Sequence, residues 1–152
     1  MSPVRGSATE MEDRPATPDD IEQICLALPE TWLGVSWGDR PTYLVLHRVR
    51  DGERQGRGFV LHRRAHTTAV DPETGEMYDD LLVIRTPSEA DKIALTEDPS
   101  TPFFTIPHFN GYNAVLVRES RLGEISVREL REVITDAWRA VAPKRMVKEF
   151  DG

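Results

Sequence analysis

The 152-residue chain has one cysteine, Cys25, and so no internal disulfide is open to it. That fits a reducing compartment. Cys25 sits beside Ile24 on an apolar helical stripe, where a buried, inert thiol is expected rather than a nucleophile. Long apolar runs are also missing. The longest are four or five residues, too short to span a bilayer. The first residues lack the apolar core of a secretory signal, so a cytoplasmic, membrane-free protein is expected. Positive charge is in deficit, with 19 Lys and Arg against 26 Asp and Glu, a net charge of −7. Nucleic-acid binders are usually basic, at least on one face, so only a local basic patch would support that function here. No nucleophile motif, phosphate loop, dinucleotide fingerprint or zinc framework is present, and no cofactor or metal is expected.

What positive charge there is gathers in one stretch. From Arg40 to His66 there are seven arginines (Arg40, Arg48, Arg50, Arg54, Arg57, Arg63, Arg64) and two acids (Asp51, Glu53). From Asp71 to Asp98 there are nine acids against Arg85 and Lys92. Such a split builds a dipolar surface with one basic region, or simply a set of solvated strand arginines.

Residues 1–16 carry few apolar groups and read as a flexible tail, with a single domain over residues 17–152. Thr17, Pro18, Asp19 and Asp20 spell a helix start. Ile21, Ile24, Cys25 and Leu28 repeat at helical spacing, and Pro29 stops the helix. Strands are expected over 32–37, 42–49, 59–64 and 81–85. The polar stretch 50–58 reads as a long hairpin loop, and 65–80 contains turn signals. Thr86, Pro87, Ser88 and Glu89 open a helix to about Thr96, anchored by Ile93. Residues 103–118 read as strand, tight turn and strand. The last helix runs from Val127 to Ala142, capped by Ser126 and Glu129, with Leu130, Val133, Ile134, Ala137, Trp138 and Val141 facing the core. Hairpin-connected strands with helices to one side define an α+β fold: a two-layer sandwich, mainly antiparallel, with helices on one face.

Histidines offer little metal chemistry. His62 and His66 lie roughly 13 Å apart if the strand is straight, too far for one ion. Only a cross-strand pairing of His47 with His62 would bring two ligands together. His108, Asn110 and Tyr112 sit at one end of the 103–118 segment, with Lys144 and Arg145 following the last helix. Two readings fit them. Pro107 and Gly111 shape a rigid turn whose aromatics pack, or the group forms a ligand pocket with Trp37 for a small anion or nucleobase.

The run Phe103–Arg118, with Leu28-Pro29-Glu30, Ser36-Trp37-Gly38 and Trp138 followed by Ala142-Pro143-Lys144-Arg145, resembles the MmcQ/YjbR family. These are small bacterial proteins often labelled DNA-binding. The resemblance runs from about Thr17 onward and implies the same α+β architecture. It also implies a non-enzymatic binding protein that touches DNA. Arg48, Arg50, Arg54, Arg57, Arg63 and Arg64, with Lys144 and Arg145, are then the candidate contacts, made to phosphates without reading sequence. The alternatives are a protein-interaction module using an open sheet face or edge, and a small enzyme using His108.

Overall fold

The computed structural model describes residues 12–36, 40–63 and 65–152. Trp37 and Arg64 lie outside the described residues. Five antiparallel strands form one sheet in chain order: β1 (Thr31–Ser36), β2 (Arg40–Arg50), β3 (Glu53–Arg63), β4 (Leu81–Arg85) and β5 (Ala114–Arg118). Helix α1 (Pro18–Ala27) follows Thr17, and α2 (Glu89–Thr96) joins β4 to β5. Helix α3 (Val127–Val141) crosses one sheet face, and α4 (Lys144–Asp151) closes the chain. The α+β class with helices against an antiparallel sheet is therefore as expected.

Alternation along the strands sorts the core into two clusters. Val60, Leu82, Ile84, Val115 and Val117 face α1 and α3, where they meet Ile21, Ile24, Leu130, Ile134 and Trp138. Leu61, Leu81, Val83, Ala114 and Leu116 face the other way. A register shift between Tyr43 and Leu44 places Phe59 in a bulge, so Phe59 and Val60 both enter the helix-side core. The second face of β3–β5 is not open. Ala69 and Tyr78 from one connection, and Phe104, Ile106, Phe109 and Tyr112 from another, cover it.

Several elements differ from the sequence reading. The 50–58 stretch is not a loop: β2 and β3 run through it and turn on two residues, Asp51 (φ 53°) and Gly52 (φ 80°). Asp-Gly with both φ positive is the tight turn that matches strand twist. Polarity concealed it because both faces of this ribbon are solvated. The 103–118 segment is not a regular hairpin. Only Phe104 bridges Leu116, and Pro107–Phe109 form a 3-10 turn that drives Phe109 into the second cluster.

Helix α2 starts two residues later than expected. Ser88 is its cap, accepting from Asp91 N–H, and Ile93 is 44% exposed. The anchor is Lys92, 8% exposed, whose Nζ donates to the carbonyls of Phe109 (2.7 Å) and Tyr112 (2.8 Å). Two carbonyls satisfying one ammonium hold the 107–113 turn to the helix. Helix α4 was not foreseen, because Pro143 reads as a stop when it is the residue from which a new helix starts.

Residues 12–16 are docked, which corrects the expected tail over that span. Ala16 is 3% exposed and its N–H donates to Ile125 O (2.9 Å), while Val127 N–H donates to Arg14 O (3.0 Å). The anchor is ionic rather than apolar. The buried Asp20 carboxylate accepts from both terminal nitrogens of Arg14 (2.6 and 2.9 Å) and from Thr17 N–H (2.8 Å). The Arg14 hydrogen bonds hold Asp20 below the usual carboxylate range against the opposing effect of burial.

Candidate nucleic-acid interface

Pairing to β4 begins at Val60, and β1 reaches only to Val45 of β2. Beyond those points β2 and β3 continue alone to the Asp51-Gly52 turn, as an exposed two-stranded ribbon. Gly56 exists for close packing at its root. A Cβ there would lie 2.8 Å from the Trp32 ring and 2.9 Å from Leu44 Cβ, so only glycine admits the indole. Arg54 stacks on that ring, 4.4 Å from its centroid, and pairs with Glu30 at 3.2 Å.

The ribbon arginines are thus unequal. Arg54 is committed to Trp32 and Glu30. Arg48 and Arg50 are exposed; Arg48 Nε donates to Gln55 Oε1 (2.7 Å), and neither makes an ion pair among the described residues. Arg57 is exposed beside the root. Arg63 lies far from the ribbon tip and is only 5% exposed, so it cannot act as a surface phosphate contact.

Where β4 ends, the edge of β3 at Arg57-Gly58-Phe59 bounds a cleft of about 370 Å³. Ser36 and Thr42 form its hydroxyl wall, Arg57, Arg85 and Tyr112 its polar rim, and Val141 of α3 its apolar side. The Ser36 and Thr42 hydroxyls lie 2.6 Å apart, and Thr42 donates to Arg40 O (3.0 Å). The Ser36 proton therefore points at Thr42. Arg85 Nη1 donates to Tyr112 Oη (2.6 Å), with the guanidinium 4.8 Å from the ring centroid. The Tyr112 proton is then free to donate to a ligand. Arg85 Nε is buried without a partner. Among the described residues, no acidic side chain lines the cleft. Two guanidiniums, a phenol and an open strand edge make a binding surface for negative charge.

The sequence candidates separate. Tyr112 joins the cleft, whereas Asn110 lies beside Lys92 in a smaller depression that Tyr112 also borders. His108 turns toward His66, ring centroids 6.4 Å apart, and packs edge-on to Phe109. Lys144 and Arg145 are exposed in the first turn of α4, three and four residues past Val141 of the cleft wall. Arg145 spends part of its charge on Glu149 (3.4 Å). No hydrogen bond or ion pair joins either of them to His108, Asn110 or Tyr112 among the described residues. His47 does not meet His62: His62 pairs with Leu82, and His47 falls in a register shift opposite 55–56. No metal-binding group of three or more His, Cys, Asp or Glu side chains occurs among the described residues. Arg85 was missed in sequence because it stood alone among acids; its signal was a cation ending an otherwise apolar strand.

The fold and site define a small α+β domain with a basic cleft at the root of a β-ribbon. The chain belongs to the YjbR family, whose sequence profile matches residues 26–140. It is similar to "Uncharacterized protein Rv2570" of Mycobacterium tuberculosis and "Uncharacterized protein Mb2600" of Mycobacterium bovis. Each is 49% identical over 71 residues, covering 47% of this chain and 53% of the relative. The match thus spans about half the length of these curated relatives. No solved structure matches the chain. No helix among the described residues is long and apolar enough to cross a membrane.

Proposed function

We propose that this protein binds nucleic acid weakly and without sequence preference, through phosphates laid along the ribbon and its root. One observation supports this reading above the others. In a chain of net charge −7, the cleft holding Arg57 and Arg85 has no acid in its lining among the described residues, and Arg48 and Arg50 lead away from it with no ion pair among those residues. Arginine forks suit phosphate oxygens, and such contacts position a strand without reading bases. The acidic remainder of the molecule keeps the affinity low and holds the contact to this region. Lys144 and Arg145 are exposed three and four residues past Val141 of the cleft wall. Four phosphate contacts give a duplex salt slope of about −3 to −4 in log K against log salt. Fluorescence anisotropy with short duplexes at several salt concentrations measures it. Absence of binding at low salt defeats the reading.

A second reading, a protein-interaction module, has its own observation. On the edge strand β1, Leu33 and Val35 are 48% and 62% exposed beside a strand edge that is unpaired among the described residues. That edge suits an added strand from a protein partner. A pull of β1 amide signals by duplex DNA would count against it. His108 has no carboxylate partner among the described residues, and no catalytic role is proposed for it.

A further inference from the structure

Among the described residues, Arg63 is a buried cation without a counter-ion. It lies on β3 opposite the helices, 5% exposed, and makes no ion pair among the described residues. Its Nη2 donates to Thr68 Oγ1 (2.6 Å), while Nε and Nη1 are closed from solvent and have no hydrogen-bond partner. Its guanidinium lies 5.4 Å from the Phe109 ring centroid, which satisfies neither nitrogen. Burial, and then the charge of Arg40, lower its pKa, so the surroundings disfavour the charge rather than balance it. Guanidinium nevertheless stays protonated in proteins. An uncompensated buried charge is costly, and a well-packed apolar residue would serve stability better.

The surroundings supply the rest of an anion site. The Thr68 hydroxyl also meets His66 Nδ1 at 2.8 Å, and the Thr68 N–H donates to the same nitrogen at 3.1 Å. His66 Nδ1 is therefore an acceptor, and its proton sits on Nε2. His66 is exposed, as is His108, whose ring lies 6.4 Å away. Thus an exposed imidazole contacts the hydroxyl that accepts from the buried guanidinium, and a second exposed imidazole lies beside the first.

The geometry points to an oxyanion site at Arg63, Thr68, His66 and His108 that takes a phosphate group from a small molecule. It is separate from the ribbon and does not depend on nucleic-acid binding. The anion supplies the missing counter-charge. Thr68 turns its hydroxyl proton from His66 Nδ1 to an anion oxygen while still accepting from Arg63, and His66 and His108 donate at the mouth.

The test uses the full chain and inorganic phosphate, with chloride at matched ionic strength as control. Phosphate at ten times its dissociation constant is expected to raise the melting temperature by about 3–6 °C. Arg63→Met should remove that response and melt no lower than the native chain without phosphate, since it discards an unpaired buried charge. Thr68→Val and the double variant His66→Ala/His108→Ala should each weaken phosphate binding by at least about tenfold, one decade being the smallest loss expected from deleting a charged hydrogen bond. If Arg63→Met does not fold, these two variants decide the matter. Replacing Arg48, Arg50 and Arg57 together should leave the phosphate response intact. The inference fails if phosphate does no more than chloride, as it would if water alone satisfied Arg63. It also fails if Arg63→Met responds like the native chain, or if the response is lost with Arg57 instead. Duplex binding retained in Arg63→Met would show that the two sites stand or fall separately.

Discussion

The two faces of the sheet are built by different means. The helix face is hydrocarbon: Trp138, Ile134, Leu130, Leu82, Ile84 and Val115 are each fully buried, with one polar contact, Trp138 Nε1 donating to Pro29 O (3.1 Å). The opposite face mixes Leu61, Val83 and Leu116 with Arg63, Thr42 and Arg85, under two long connections rather than helices. The first face is optimised for stability. The second keeps cations half-buried and incompletely satisfied, a cost that packing alone would have removed. Function is to be sought where the sheet retains charge it does not need for folding.

Removing the apolar anchor tests the stable side. Trp138→Ala should cost about 3–5 kcal/mol through transfer and cavity terms, read by denaturant unfolding. A near-native midpoint would show that the helix face does not carry the fold. At the ribbon root, Gly56→Ala should cost about 1–3 kcal/mol, because its Cβ meets the Trp32 ring and the Leu44 Cβ, and backbone must give way. Paired with Trp32→Leu, the loss should shrink; an unchanged loss would place the strain elsewhere.

The docked 12–16 segment sharpens the boundary between the faces and the termini. A 17–152 chain should melt several degrees below the full chain, since it leaves the Asp20 carboxylate buried without Arg14. Asp20 also predicts a pH effect. Its folded pKa is depressed, so its stabilisation is present above the unfolded value of about 4 and is lost as pH falls through the lower folded value. Asp20→Asn should flatten the fall in melting temperature below about pH 4. An unaltered acid limb would mean that other carboxylates set it.

Much of this fold was legible because it obeys short periods. The α3 stripe from Leu130 to Val141 and the apolar runs of β4 and β5 follow from spacing alone. Capping at Ser126 with Glu129 marked the last helix to within a residue. The ribbon was misread because solvated strands lack alternation, although Asp51-Gly52 carried the turn signal. Lys92 was passed over because burying an ammonium depends on carbonyls 17 and 20 residues away. The same limit hid the site. Arg57, Arg85 and Tyr112 are distant in sequence and meet only because β4 stops short of β3, while Arg63 looks like any strand arginine until its burial is known.

The central claim, that the incompletely satisfied charge of the cleft serves binding, is tested most directly by the salt dependence of duplex binding. Native protein should bind at low salt with a slope of about −3 to −4, and Arg57→Ala/Arg85→Met should bring it to about −2 as two contacts are lost. A native protein that does not bind, or a double variant with the native slope, would contradict it.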